Sequence, residues 1–152
     1  MLDRNAHVGV VSEPRTIQVE KGFLTFFAKA TGETDPVYFD EDVARGAGQP
    51  AIPAPPTYLF SLAMSAPAKR GGLFDKQNGL GVDMARILHG EQSFAYYKPI
   101  HAGDVLTLTT TTSDIYAKKG GALEFIVQDT KAVDASGKLC AEMRSVTVVR
   151  ND

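Results

Sequence analysis

The sequence is short of several features, and each shortage excludes a class of protein. Its 152 residues contain a single cysteine, Cys140, which excludes an internal disulfide and a zinc site built from cysteines. The net charge is −2 and no run of lysines and arginines occurs, so the chain offers no basic patch to nucleic acid or to an anionic membrane surface. No apolar run approaches the roughly 18–20 residues of a membrane-spanning helix.

The N-terminal segment MLDRNAHVGVV lacks the basic stretch, followed by a long apolar stretch, that a secretion signal needs. We therefore expect a cytoplasmic protein with no membrane partner and no nucleic-acid partner. The length suits one globular domain, which we expect to span residues 1–152.

Proline is scarce in the second half of the chain, where Pro99 is the only one after residue 82. Proline and glycine concentrate between Gly32 and Gly81, which divides the chain into an irregular, helical half and a strand-rich half. Apolar residues at helical spacing and helix-start signals predict helices over residues 21–31, 40–45 and 56–66. Alternating apolar residues and turn signals predict strands within residues 85–98, 105–116, 123–133 and 139–149.

The predicted helix 56–66 is apolar on almost every side, which is typical of a helix buried in a core. Consecutive antiparallel strands beside such a helix imply an α+β arrangement, in which a curved sheet wraps around the helix. In the first predicted helix Phe23, Phe27 and Ala30 share one face, and Gly32 is well placed to end it.

Three segments carry motifs. Residues 30–39 read ATGETDPVYF, residues 52–60 read IPAPPTYLF and residues 88–106 read LHGEQSFAYYKPIHAGDVL. The first is similar to the (R)-specific enoyl-CoA hydratase signature, small-Gly-Asp-x-Asn-Pro-aliphatic-His, of the MaoC-like dehydratases. The other two resemble the start of the central helix and later segments in the N-terminal-type hot-dog domain of that family. Since the three occur in the family's order, together they are specific.

The resemblance implies the hot-dog fold, a curved antiparallel sheet around a central helix. It also implies (R)-specific addition of water to 2-enoyl thioesters, or its removal from 3-hydroxyacyl thioesters, in fatty-acid-type metabolism. In the family an Asp and a His hold the catalytic water and move its protons, while a backbone N–H at the start of the central helix polarises the thioester carbonyl. No metal or redox cofactor is needed, and CoA or phosphopantetheine is part of the substrate.

The chain departs from this signature. Glu33 stands where the family has Asp, Asp35 where it has Asn, and Tyr38 where it has His. A tyrosine with an ordinary pKa of about 10 is a poor base at neutral pH, so the usual Asp/His pair is degenerate here. The candidate catalytic residues are these three and His89, whose strand neighbour Glu91 we expect on the same face.

The resemblance makes the start of the central helix the substrate-binding segment, with Pro56, Thr57, Tyr58 and Phe60 as candidates. The apolar helix residues either line an acyl tunnel or belong to the core. The catalytic candidates also have structural interpretations: carboxylates that stabilise a turn, a packed tyrosine, and a histidine that forms hydrogen bonds at the sheet or a dimer interface. His101 lies in a turn, where we expect it to be exposed to solvent.

The loop 67–81 places Lys69 and Arg70 beside Gly71 and Gly72. These residues either contact a phosphate of CoA or form a mobile basic loop. The second interpretation is preferred, because the glycine-rich phosphate-binding fingerprint is absent.

Three functions stay open. The chain is a hydratase or dehydratase of acyl-CoA or acyl-carrier-protein thioesters, active alone or with a partner. Alternatively, it is a non-catalytic acyl-thioester-binding subunit that a second MaoC-like chain completes, or, more distantly, a hot-dog thioesterase. The missing His at position 38 suggests the half of such a pair that lacks the catalytic residues. Because hot-dog domains expose a long strand edge, we expect a homodimer or a heterodimer with a second MaoC-like chain.

Overall fold

Strands make up most of the regular structure in the computed structural model, which describes residues 2–66, 68 and 70–151. The helices are α1 (Arg4–His7), α2 (Lys21–Ala30), α3 (Glu41–Gly46) and α4 (Tyr58–Ser65). The strands are β1 (Arg15–Gln18), β2 (Ile87–Tyr96), β3 (Val105–Lys118), β4 (Leu123–Asp134) and β5 (Leu139–Arg150). Short 3-10 helices cover Pro36–Tyr38, Met84–Arg86 and Lys119–Gly121. Within the described ranges, no helix has both the length and the apolar character needed to cross a membrane.

The five strands form an antiparallel sheet in the order β1–β3–β4–β5–β2, and α4 packs against its inner face. Alternating β-branched residues favour extended backbone and give each strand one packed face. The predicted strands of the second half are confirmed, and each lies within two residues of its predicted range. The α+β hot-dog fold predicted from the sequence is therefore confirmed.

Two apolar clusters lie along the inner face of the sheet, with a polar band between them. The first cluster joins α4 to the sheet through Leu59, Leu62, Leu106, Leu108, Ala132, Ala141 and Met143. The second, smaller cluster contains Leu80, Val82, Ile115, Ile126 and Val149. By strand register, the polar band consists of the inward residues between them: Thr110, Thr112, Gln128, Thr130, Ser145 and Thr147.

Helix α4 is too short to cover the inner face. Eight residues of helix extend about 12 Å, whereas the 12 residues of β4 extend about 40 Å. The prediction of a buried central helix is confirmed, since Tyr58, Leu59, Leu62 and Ala63 are buried in the first cluster, although Met64 near the end of the helix is 54% exposed. The helix also begins at Tyr58 instead of Pro56, since Thr57 has a φ of 73° and cannot continue the helical backbone.

Helix α2 ends where the sequence predicts, because Gly32 adopts a φ of 81°. Its buried stripe centres on Leu24 and Ala28, which lie beside the predicted face, whereas Phe23 is 62% exposed. Phe27 does pack inward, and its ring meets that of Tyr58 edge-on with centroids 5.3 Å apart.

Strand β2 contains a β-bulge at Gly90, which changes the face of the sheet to which the side chains after it point. His89 pairs with Thr147 whereas Glu91 pairs with Val146, so the two side chains point to opposite faces of the sheet. The prediction that they share a face is wrong, because the extra residue interrupts the alternation.

The turn after Pro99 buries a side chain that the sequence suggested would be exposed. His101 is only 9% exposed, and its Nε2 lies 2.7 Å from the Oε1 of Gln49. The expectation of a solvent-exposed histidine is therefore wrong. The Asp104 carboxylate closes the turn by accepting the His101 backbone N–H at 2.9 Å.

Candidate functional site

The hydratase-like signature folds into a capped turn after α2. The Glu33 backbone N–H donates to the Ala28 carbonyl at 2.9 Å, which closes the end of the helix. The Asp35 carboxylate accepts the Val37 N–H at 3.0 Å and so caps the following 3-10 helix. The Asp35 carboxylate therefore stabilises the turn, whereas Glu33 takes part in it through its backbone N–H.

Tyr38 lies near these two carboxylates. Burial raises the pKa of Tyr38, and the negative charges of Glu33 and Asp35 raise it further. The phenol is thus protonated at neutral pH and donates a hydrogen bond more readily than it accepts a proton. A protonated phenol is a weak base at neutral pH.

At the start of α4, the backbone amide of Thr57 already has a hydrogen-bond acceptor within the chain. The Thr57 N–H donates to the Tyr96 hydroxyl at 2.9 Å. By the family resemblance, a backbone N–H at this place polarises the substrate carbonyl. In this chain the hydroxyl of Tyr96, the last residue of β2, accepts the hydrogen bond of that N–H.

A helix-start cavity of about 360 Å³ adjoins this amide. Its walls are Pro53–Pro56, the buried side of α4 and residues 96–100. Pro56 and Tyr58, two of the candidate substrate-binding residues, line it. Burial raises the pKa of Tyr58, and the charge of Glu20 adds to that effect.

An inner-face cavity of about 480 Å³ lies beyond the end of α4, between the polar band and the loop around residues 71–75. One wall is apolar and includes Phe60, Ala63, Met64, Leu73 and Phe74. The opposite wall is polar and includes Ser12, Arg15, Thr110, Gln128, Thr130, Ser145 and Thr147. Its volume is within the range of about 300–1,000 Å³ that is usual for small-molecule sites.

His89 and Phe60 meet in this inner-face cavity. Their rings lie 4.8 Å apart, tilted by 34°. The bulge at Gly90 places His89 on the inner face, beside Thr147. A predicted catalytic residue and a predicted substrate-binding residue therefore share one cavity.

The other candidates lie elsewhere. In the described part of the chain, Glu33, Asp35 and Tyr38 line neither of the two cavities. The fold thus does not place His89 in the same cavity as Glu33, Asp35 or Tyr38. The predicted catalytic residues occupy two separate places in this chain.

Arg15 is the wall residue that the sequence analysis missed. It precedes Ile17 by two residues in β1, and Ile17 packs against the first apolar cluster. Strand alternation therefore places both on the inner face, and this signal could have identified Arg15. The polar band had a similar signal, since Thr110 and Thr130 interrupt otherwise apolar inward positions.

The predicted basic loop is only partly described, and Lys69 lies outside the described residues. Gly71 and Gly72 line the inner-face cavity. Arg70 is exposed, and its carbonyl accepts the Glu13 N–H at 3.2 Å. Among the residues that are described, no group of three His, Cys, Asp or Glu side chains is placed to hold a metal ion.

The comparison of the sequence with known families agrees with the hot-dog sheet, the short central helix and the signature turn described above. Residues 6–143 match the model of the FAS1-like dehydratase domain region. The chain belongs to this family of MaoC-like hot-dog dehydratase domains.

Among its relatives is a UPF0336 protein from Streptomyces griseus, to which it is 36% identical over 124 residues, 82% of this chain and 79% of the relative.

Solved structures show the same fold. One is a MaoC-like dehydratase, with a TM-score of 0.82 and 23% identity, and the match covers 97% of this chain and 43% of that one. Another is the C-terminally truncated HadBC (3R-hydroxyacyl-ACP dehydratase) complex from Mycobacterium tuberculosis. Its TM-score is 0.74 at 21% identity, and the match covers 93% of this chain and 96% of that one.

Proposed function

We propose that this chain is the acyl-binding subunit of a two-chain hydratase or dehydratase that acts on (R)-3-hydroxyacyl or 2-enoyl thioesters of CoA or acyl carrier protein. A second MaoC-like chain supplies the Asp and His that handle the water. The observation that carries the proposal is Tyr38, which occupies the His position of the signature and has a raised pKa.

The inner-face cavity supports the acyl-binding role. Its apolar wall, formed in part by Phe60 and Met64, fits the methylene groups of an acyl chain. The Thr57 N–H already donates to Tyr96, which agrees with a carbonyl-binding site that is completed on the partner.

The β2 edge supports the need for a partner. Strand β2 has ten residues and lies at one end of the sheet, whereas β1 at the other end has four. Leu88, Tyr96 and Tyr97 on β2 and just after it are each about half exposed, at 51%, 47% and 59%. A long exposed edge with apolar side chains is a surface that another strand can cover. The structural relative HadBC is itself a complex.

A second candidate function is hydration by this chain alone. The observation that favours it is His89, whose imidazole lines the inner-face cavity beside Phe60. In that case the proton transfer would occur beside Phe60 and not at the signature turn.

Hydration of crotonyl-CoA distinguishes these functions. The purified chain is assayed alone, and then with a MaoC-like chain that carries the intact Gly-Asp-x-Asn-Pro-x-His signature. We expect activity only in the mixture, and we expect it to disappear when the partner's signature His is replaced. Activity of this chain alone that His89→Gln abolishes would favour the second function. Absence of hydration in both settings would contradict the hydratase proposal.

A further inference from the structure

Arg15 is a half-buried cation that forms no ion pair with any residue the structure describes. Its Nε is fully buried and has no hydrogen-bond partner within the described ranges. Burial lowers the pKa of the Arg15 guanidinium, but the group is still charged at any physiological pH. Buried polar atoms normally have a partner, so an unpartnered guanidinium in a cavity wall calls for an explanation.

The nearest carboxylate on the cavity wall is already occupied. Asp75 accepts the backbone N–H groups of Gln77 and Asn78 at 2.9 and 3.1 Å, and that of Gly71 at 3.2 Å. These hydrogen bonds from Gln77 and Asn78 lower the pKa of Asp75 and hold it in its own loop. Asp75 and Arg15 form no ion pair.

The polar band adds hydroxyl groups to the same wall. The hydroxyls of Thr110 and Thr130 lie 2.8 Å apart, and the Ser12 hydroxyl accepts the Thr110 N–H at 3.1 Å. This wall thus combines a fork of N–H donors with hydroxyl donors, which suits an oxyanion.

The opposite wall is apolar, so the cavity has two chemically different sides. A ligand that fits both has a hydrocarbon part against Phe60 and Met64 and a negatively charged oxygen group against Arg15. A phosphate of the pantetheine arm has the charge, but the hydrocarbon next to it is short, a single dimethyl-substituted carbon, and it is followed by a hydroxyl and amide groups that the apolar wall would leave without hydrogen-bond partners. A carboxylate at the far end of an acyl chain has both.

We infer that Arg15 binds the terminal carboxylate of an acyl group in the inner-face cavity, so that the preferred ligands are thioesters of dicarboxylic acids. This inference rests on the proposed function, because it specifies which acyl group the chain takes. A guanidinium forms two parallel hydrogen bonds with a carboxylate, and this geometry sets it apart from lysine.

Matched ligands test the inference by titration calorimetry with the full chain. Glutaryl and pentanoyl thioesters of N-acetylcysteamine have acyl chains of the same length and contain no phosphate. They differ only at the end of the acyl chain, which is a carboxylate in the glutaryl thioester and a methyl group in the pentanoyl thioester. We expect the glutaryl thioester to bind about 10- to 100-fold more tightly. Arg15→Met should abolish that preference and Arg15→Lys should weaken it, while Arg45→Gln on the surface of α3 should leave it unchanged.

Thermal melting shows whether Arg15 serves the fold instead. Removing an unpartnered buried group should leave the melting temperature of Arg15→Met equal to that of the wild type or a few degrees higher. A clear fall in melting temperature, with Arg15→Lys restoring it and no effect on ligand preference, would assign Arg15 a structural role and overturn the inference.

Free glutarate and inorganic phosphate separate the remaining outcomes. Glutarate binding that depends on Arg15 supports the carboxylate site even if no thioester binds, and in that case the thioester proposal fails alone. Equal binding of the two thioesters overturns the carboxylate site and leaves the thioester proposal intact. Phosphate binding that depends on Arg15, without binding of glutarate, overturns the inference and identifies the pantetheine arm as the source of the anion.

Discussion

Gly90→Ala is the substitution with the most direct structural consequence. A Cβ at this position would lie 3.0 Å from the Val146 carbonyl oxygen and 3.0 Å from Cγ2 of Val148. The oxygen belongs to the β5 backbone and cannot move away without disturbing the sheet. Overpacking of this kind costs about 1–3 kcal/mol, so we expect the free energy of unfolding to fall by about 2 kcal/mol. For a chain of this length the melting temperature should fall by about 4–8 °C.

Urea denaturation with Gly22→Ala as the matched control measures this effect. No atom within 4 Å would meet a Cβ at Gly22 in α2, and alanine in a helix is favoured over glycine by up to about 1 kcal/mol. We therefore expect opposite signs for the two substitutions. A Gly90→Ala variant as stable as the wild type would refute the bulge, and with it the position of His89 in the inner-face cavity.

A double-mutant cycle with Val148→Ala separates the two close contacts. If the valine methyl carries the clash, the combined variant should lose less stability than the sum, with a coupling of at least about 0.5 kcal/mol. If the Val146 carbonyl carries it, the two losses should add.

Thr57→Gly should stabilise the chain by about 0.5–1 kcal/mol in urea denaturation, because glycine tolerates the φ of 73° that strains a β-branched residue; a loss of stability would contradict this. Burial lowers the pKa of His101 below its usual 6.5. As the pH drops below about 6.5, the unfolded chain takes up a proton at His101 before the folded chain does, so the free energy of unfolding should fall. His101→Gln should have a flatter profile between pH 7 and 5, and an unchanged slope would show that another group is responsible. Tyr38→Phe should change crotonyl-CoA hydration by the two-chain enzyme by less than about threefold, whereas a loss of about 100-fold or more would place the phenol in the proton transfer.

The alternation of the strands and the apolar helix were sufficient to predict an α+β arrangement with a curved sheet around a helix, and the resemblance of the three motifs then identified it as the hot-dog fold. Helix α2 and its end at Gly32 also followed from the sequence, since local backbone preference decides both. The bulge at Gly90 could not be predicted, because it depends on how close β5 lies to that glycine. One inserted residue then reversed the direction of Glu91 relative to His89.

The candidate site was predicted only in part for a similar reason. The signature identified the turn with Asp35 and Tyr38, because capping is local chemistry. An acyl tunnel lined by residues of the central helix was one of the alternatives, but motifs contain no information on how far α4 extends over the sheet, so the place and the polar wall of the inner-face cavity were not foreseen. Arg15 was overlooked because a single charged residue in a four-residue strand gives a weak pattern.

Because the two apolar clusters are separate, the two ends of the sheet should differ in how readily they unfold locally. The smaller cluster around Ile115, Ile126 and Val149 is joined to the larger one only through the strands and the polar band between them. Local opening is easier where few apolar contacts hold a segment, so amide hydrogens near Ile126 should exchange with solvent faster than those near Leu108. A molecule bound against the polar band would contact both ends of the inner face and join them into one cooperative unit. Occupancy of the cavity would then be visible as slower exchange at Ile126.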